Sequence, residues 1–255
     1  MMENKFLSTL SRLVGGGQNA ASATRRKELP NKIAYLSAMR IFRDLSPDET
    51  KMVENSTVMT TAQKGKLIYQ PGETGEVLFL LKHGSVHLYR LSSEGRKFIV
   101  QTVGSMTFFG EMAAIGQKMY DLFAEAAEDC LVCVMGRADV ERLILSRPQV
   151  ALRMLEEIGQ RMHEAQERLG DSAFKGVPAR VATLLLRLSN EGAQPIKGMR
   201  HQDLADMLGL YRETVTTTLD HLRDEGLIEI SRKEIALRSL ERLREVAEEE
   251  MLRKR

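Results

Sequence analysis

The sequence predicts an α+β protein, in which a β-roll is followed by a long helix and then a winged helix-turn-helix. Three observations carry this expectation. Between about Val58 and Met135, short β runs alternate with turn residues. From Arg137 onward the pattern turns helical, with apolar residues at Ala151, Leu155, Ile158, Met162, Ala165 and Leu169 in steps of four and three. Near the C-terminus, His201 to Asp220 reads as two short helices joined at Gly209. The expected organisation is a tail over residues 1–30, a roll over 31–136, a dimerisation helix region over 137–172 and a winged helix-turn-helix over 173–255.

The elements follow in order. The stretch Gly-Gly-Gly-Gln-Asn-Ala-Ala-Ser-Ala has the composition of a mobile tail, made mildly basic by Arg25-Arg26-Lys27, a charge run that reads as solvated or, alternatively, as a DNA-contacting arm. A short helix fits Asn31–Met39. Another starts after Ser46, whose hydroxyl can cap it, with Pro47 in its first turn. Strands are expected at Lys66–Tyr69, Val77–Leu81, Val86–Leu91, Lys97–Val103 and Cys130–Met135. Turns are expected at Pro71-Gly72-Glu73, Lys82–Ser85, Ser92–Gly95 and Gly104-Ser105. The heptad series is narrow and edged by Arg153, Glu156, Glu157, Gln160, Arg161, Glu164, Glu167 and Arg168. A narrow stripe of that kind fits a helix-to-helix seam, and the expectation is a homodimer. Gly170 and Gly176-Val177-Pro178 are read as the end of that helix. Gly226–Ile230 and Glu234–Leu237, joined by Ser231-Arg232-Lys233, read as the wing, with a charged helix at Leu240–Leu252.

Composition narrows the function classes. The chain has 255 residues, 43% hydrophobic and 28% charged, which suits a globular protein with two cores. No apolar run is long enough to cross a bilayer, and the first apolar stretch is broken by Ser8, Ser11 and Arg12, so a cytoplasmic location is expected. Two cysteines fit a reducing compartment. No Walker loop, Gly-x-Ser-x-Gly or His-Glu-x-x-His is present, and the expectation is a protein that is not an enzyme and holds no metal. From Asp171 to Arg255 there are 15 Lys+Arg and 15 Asp+Glu, so any attraction for DNA must come from charge sorted by face.

The helix pair has the chemistry of a DNA reader. Leu204, Ala205 and Leu208 recur at helical spacing, a small residue stands at the helix contact, and a glycine sits at the turn. In the second helix Val215, Leu219 and Leu222 share one face, and Arg212, Glu213, Thr216 and Thr217 lie on the other. Such a helix enters the major groove, where arginine can bond guanine O6 and N7 and glutamate can accept from cytosine N4. His201, Gln202, Tyr211, Thr214 and Thr216 are placed to touch phosphates, with Arg232 and Lys233 adding contacts from the wing.

Several stretches in this order resemble the cyclic-AMP receptor protein/FNR superfamily of bacterial transcription regulators, over about residues 40–240. They are Ile41–Ser46, Tyr69-Gln70-Pro71-Gly72-Glu73, Leu78–Val86, Phe109-Gly110-Glu111-Met112 and Arg212-Glu213-Thr214-Val215. The resemblance implies that the roll is a sensor domain like a cyclic-nucleotide-binding domain, and that double-stranded DNA with a two-fold operator and RNA polymerase are partners. It implies base readout by Arg212 and Glu213, and it places Thr217 where the family has a second base-reading arginine.

The resemblance also implies an effector pocket, and there the sequence departs from the family. Gly110 and Glu111 match the family's ribose-binding stretch. The phosphate-binding arginine and the Ser/Thr-Ala after it fall on Tyr120, Asp121 and Leu122. The adenine-contacting Thr-Ser pair falls on Ala165 and Gln166. From Met112 to Asp129 the only cation is Lys118, and a buried cyclic phosphate without a cation and donors costs several kcal/mol as an order of magnitude. The expected protein is a regulator independent of cyclic AMP, with no cofactor. The alternatives are gating by haem, a gas or another small molecule, and a sensor or interaction module that has lost DNA binding. An iron–sulfur cluster would need four cysteine ligands, whereas only Cys130 and Cys133 exist and are read as core residues. A haem would need an axial ligand such as histidine or methionine, and His83, His87 and His163 read as surface residues.

Overall fold

The computed structural model describes residues 32–72, 77–110, 122–232 and 234–249. Helix α1 (Lys32–Ala38) and a single 3-10 turn (Arg40–Phe42) lead to α2 (Pro47–Asn55). Ser46 caps α2 as expected. Its hydroxyl accepts from the Glu49 N–H at 3.3 Å, while the Glu49 carboxylate accepts from the Ser46 N–H at 2.7 Å. Eight strands follow: β1 (Thr57–Ala62), β2 (Leu67–Tyr69), β3 (Val77–His83), β4 (Val86–Leu91), β5 (Lys97–Val103), β6 (Thr107–Phe109), β7 (Phe123–Ala126) and β8 (Cys130–Gly136). They form two four-stranded sheets, ordered β1-β8-β3-β6 and β2-β7-β4-β5, in which the neighbouring pairs β1–β8, β3–β6, β3–β8, β2–β7 and β4–β7 run antiparallel.

Strand alternation explains why β3 and β8 read as unbroken apolar runs. In β3, Val77, Phe79 and Leu81 point between the sheets, while Leu78 and Leu80 pack on the helices with Leu36, Phe42, Val53, Val140, Val150 and Met154. With both faces covered, every residue of β3 from Val77 to Lys82 is buried, and the exposed position comes at its last residue, His83. The two cysteines are both buried, Cys130 between the sheets and Cys133 on the helix side. Strand β3 runs through Lys82 and His83, where a turn was expected, and the reversal comes at Gly84. Only glycine fits there. Its φ is +89°, and a β-carbon would lie 2.6 Å from the Asp129 carbonyl. Lys82 is therefore buried on the helix side, where its Nζ donates to the Lys32 carbonyl at 3.1 Å and stands 5.5 Å from the centre of the Tyr35 ring.

The helical half departs from the sequence expectation in two places. A break at Arg147-Pro148 divides the segment that begins at Arg137 into α3 (Arg137–Ser146) and α4 (Pro148–Phe174), because proline has no N–H to continue a helix. Helix α4 then runs straight through Gly170. After α5 (Val177–Leu188) come β9 (Ile196–Lys197), α6 (His201–Leu208), α7 (Arg212–Asp224), β10 (Ile228–Ser231), β11 (Glu234–Leu237) and α8 (Leu240–Glu248). Strands β10, β11 and β9 form a third antiparallel sheet. The described residues up to Arg90, with Val100–Ile158, make one compact unit. Leu91–Ile99, with the residues from Gly159 onward, make the second.

Candidate nucleic-acid interface

The core of the second unit fixes the helix pair. Leu204 and Ala205 of α6 meet Val215, Leu219 and Leu222 of α7, all 2% exposed or less. Each of the large side chains contributes about 1.5–3 kcal/mol through burial. Ala205 is fully buried, so a larger side chain would force the helices apart. Gly209 ends α6 with φ +66°, and the Leu210 N–H reaches back to the Ala205 carbonyl at 3.0 Å. Arg180 of α5 donates to the Leu208 carbonyl at 2.6 Å and so supports the last turn of α6. Burial of Arg180 lowers its pKa from the ordinary arginine value.

The opposite side of α7 is open. Tyr211 is the N-cap, and Arg212, Glu213, Thr214 and Thr217 are all exposed. Arg212 and Glu213 thus occupy the first turn, the part of such a helix that meets base edges. Thr217 donates its hydroxyl to the Glu213 carbonyl at 3.0 Å. With that proton engaged, the side chain offers a methyl group and an acceptor oxygen outward. Thr216 is half-buried, and its hydroxyl lies 2.9 Å from His201 Nδ1, a link between α6 and α7 that spacing alone did not reveal. The Gln202 amide donates to Asp206 at 2.7 Å. Burial raises the Asp206 pKa, and this hydrogen bond opposes the rise. Arg232 is exposed at the wing turn, while Lys233 lies outside the described residues.

Many cations of this unit are already paired. Arg200 is held by Asp203 at 3.0 Å, Arg223 by Asp220 at 2.6 Å and Arg244 by Glu191 at 3.0 Å, and Arg238 pairs with Glu229. These pairs neutralise part of the unit's positive charge locally.

Two further groups of expected residues lie elsewhere. Of the effector positions, Glu111, Tyr120 and Asp121 fall outside the described residues. Gly110 is buried with φ +82°, and Leu122 packs against the core between the sheets. Phe79 and Phe109 stack at 4.8 Å in that core, and Tyr69 stacks on Phe79 at 5.8 Å. Ala165 and Gln166 are exposed on α4. The heptad series on α4 divides. Leu155, Met162 and Leu169 are 63%, 60% and 71% exposed, but Ile158 packs against the helix-side core and Ala151 is half-buried. Leu152, absent from the expected series, is 60% exposed and joins the open stripe.

Comparison with known proteins places these features in a family. Residues 59–147 match the cyclic nucleotide-binding domain, and residues 179–246 match the Crp-like helix-turn-helix domain. The chain is 30% identical over 207 residues to the cyclic AMP receptor protein of Thermus thermophilus, covering 81% of this chain and 96% of that one. It is 26% identical over 209 residues to the probable transcriptional regulator flp of Lacticaseibacillus casei, covering 81% and 95%. The solved structure of a CRP/FNR-family transcriptional regulator from Thermus thermophilus superposes with a TM-score of 0.64 at 28% identity, covering 75% of this chain and 99% of that one.

Proposed function

Because the chain belongs to the CRP/FNR family of transcription regulators, we propose that it acts as a homodimer that reads a two-fold operator through α7 without needing cyclic AMP. It is a DNA-binding transcription regulator, and its relatives are regulators rather than enzymes. The observation that carries the base-reading assignment is the division of α7. Val215, Leu219 and Leu222 are buried, and Arg212 and Glu213 are exposed on its first turn. Arg212 then specifies a guanine and Glu213 a cytosine, with Thr217 touching a third position through its methyl group. His201, Gln202, Tyr211, Thr214, Thr216, Arg232 and Lys233 supply backbone contacts.

The dimer reading rests on the open stripe Leu152, Leu155, Met162 and Leu169, large apolar side chains on one helix that water does not favour. A second copy of the same helix covers such a stripe with its own, in the self-complementary manner of a two-fold interface. Two-fold protein symmetry then matches two half-sites about one helical turn apart.

Independence from cyclic AMP rests on chemistry. Tyr120, Asp121 and Leu122 provide no cation for a cyclic phosphate, and Ala165-Gln166 replaces the adenine-side hydroxyls. The protein works in the cytoplasm with RNA polymerase as partner. No helix among the described residues is long and apolar enough to cross a membrane. Selection of duplexes from a random pool by purified protein without added nucleotide tests the whole reading. Recovery of a two-fold sequence is expected, with mass spectrometry of the same sample showing no copurified cyclic nucleotide. Recovery only after adding cyclic AMP would refute it.

A further inference from the structure

We propose that Arg96, on the turn between β4 and β5, is a DNA-phosphate contact beside the N-terminus of α7. The inference rests on α7 being the reading helix. Leu91–Ile99 belongs to the same compact unit as the winged helix. Within that unit, a carbon of the Phe98 ring lies 3.0 Å from where a β-carbon would stand on Gly209, the glycine that joins α6 to α7. This packing sets the turn against the helix junction. Two residues earlier, the Arg96 guanidinium carbon stands 4.3 Å from the centre of the Tyr211 ring, within cation–π range. Tyr211 is the N-cap of α7, so the cation is held next to the helix end that carries Arg212 and Glu213.

Three features suit this cation to a phosphate. The first is access. The Arg96 side chain is 44% exposed, and Tyr211 is 54% exposed. The second is donor geometry. An arginine drawn to a ring by its charge still has N–H groups along its edge for a phosphate oxygen, in the forked arrangement that lysine lacks. The third is charge. Arg200, Arg223, Arg238 and Arg244 are engaged by carboxylates at 3.0 Å or less, and Arg96 has a looser ion pair, with Glu94 at 3.5 Å from its Nε and 67% exposed, so a phosphate can compete for it. The N-terminus of the 13-residue α7 adds its own partial positive charge at the same place. A phosphate flanking the major groove at this helix end therefore meets Arg96, a residue contributed by a part of the chain far from the helix-turn-helix in sequence.

The test is the salt dependence of binding by the full-length protein to a duplex recovered by selection. Arg96→Gln is expected to weaken binding several-fold at about 0.1 M salt. It should also reduce the magnitude of the slope of log K against log salt by about one per protomer. Arg96→Lys should restore most of the slope, and neither variant should change the preferred sequence. An unchanged slope for Arg96→Gln would overturn the proposal, as would tighter binding by that variant, which would make the turn an obstacle to DNA. The same slopes measured on a random-sequence duplex do not depend on base readout. If Arg212→Ala leaves sequence preference intact, the assignment of α7 fails, and the Arg96 slope on random duplex still decides this proposal.

Discussion

His201 Nδ1 and Thr216 Oγ1 lie 2.9 Å apart and tie the start of α6 to the middle of α7. One hydrogen serves this contact, and the tautomer of His201 decides which side supplies it. If the imidazole donates, the Thr216 hydroxyl keeps its own proton for a phosphate. If Thr216 donates, it does not. His201→Ala and Thr216→Val are each expected to lower unfolding stability by about 0.5–1.5 kcal/mol. The double variant should lose little more than either single one, as a coupled pair requires. Denaturant unfolding of the four proteins measures the coupling, and simple additivity would show that the two side chains do not interact.

Base readout gives a second prediction. Arg212→Ala should cost about 1–3 kcal/mol in binding, concentrated at one base pair. Thr217→Val keeps the outward methyl group and loses only the hydroxyl that is bonded to the Glu213 carbonyl. It should therefore leave the selected sequence unchanged, while Thr217→Ala, which removes the methyl group, relaxes it at one position. Selection with each variant reads these outcomes directly. A changed sequence with Thr217→Val would show that the hydroxyl makes the base contact.

A third prediction separates assembly from folding on α4. Leu155→Glu and Met162→Glu alter exposed positions, so they should convert the dimer to monomer with little loss of monomer stability. Ile158→Glu also places a charge against the helix-side core and should lower stability besides. Sedimentation velocity and thermal unfolding distinguish the two classes. Dimers that survive both Leu155→Glu and Met162→Glu would place the interface on another face.

The roll provides a pH test in which the signs are fixed. Burial lowers the Lys82 pKa from 10.5, an effect partly opposed by Cys133 and Glu54 and reinforced by Lys32. Between the lowered value and 10.5 the unfolded chain holds more protons than the folded one, so stability rises with pH over that window. Tyr89 acts in the opposite direction. Burial, and secondarily the charge of Glu125 and a hydrogen bond to it, push its pKa from 10.0 up to about 12, so stability falls as pH rises between those values. Lys82→Met should abolish the rise and be neutral or stabilising at pH 7, since an apolar side chain of similar volume avoids the desolvation cost. Tyr89→Phe should abolish the fall. Unfolding midpoints from pH 8 to 12 provide the measurement, and a rise that persists in Lys82→Met would assign it to another group.

Periodicity and local chemistry determined much of this protein from the sequence alone. Ser46 and Pro47 begin α2, Gly209 ends α6, and the apolar positions 204, 205, 215, 219 and 222 form the core that turns Arg212 and Glu213 outward. These are contacts within one or two helical turns, or repeats along one element, and a linear pattern records them. Other features depend on which residues meet across the fold. Strands β6 and β7 are only three and four residues long and carry little periodic signal, so their existence depends on pairing with β3, β2 and β4. Lys82 read as a turn residue because a lysine is rarely placed in a core, and only the packing of α1 and α2 over β3 buries it. The heptad series counted Ile158 with the open stripe because spacing does not say which neighbour a helix face meets. The pairings of His201 with Thr216, and of Arg96 with Tyr211, join residues 15 and 115 positions apart. Tertiary structure alone decided these, because side-chain geometry at such separations is set by the packing of whole elements.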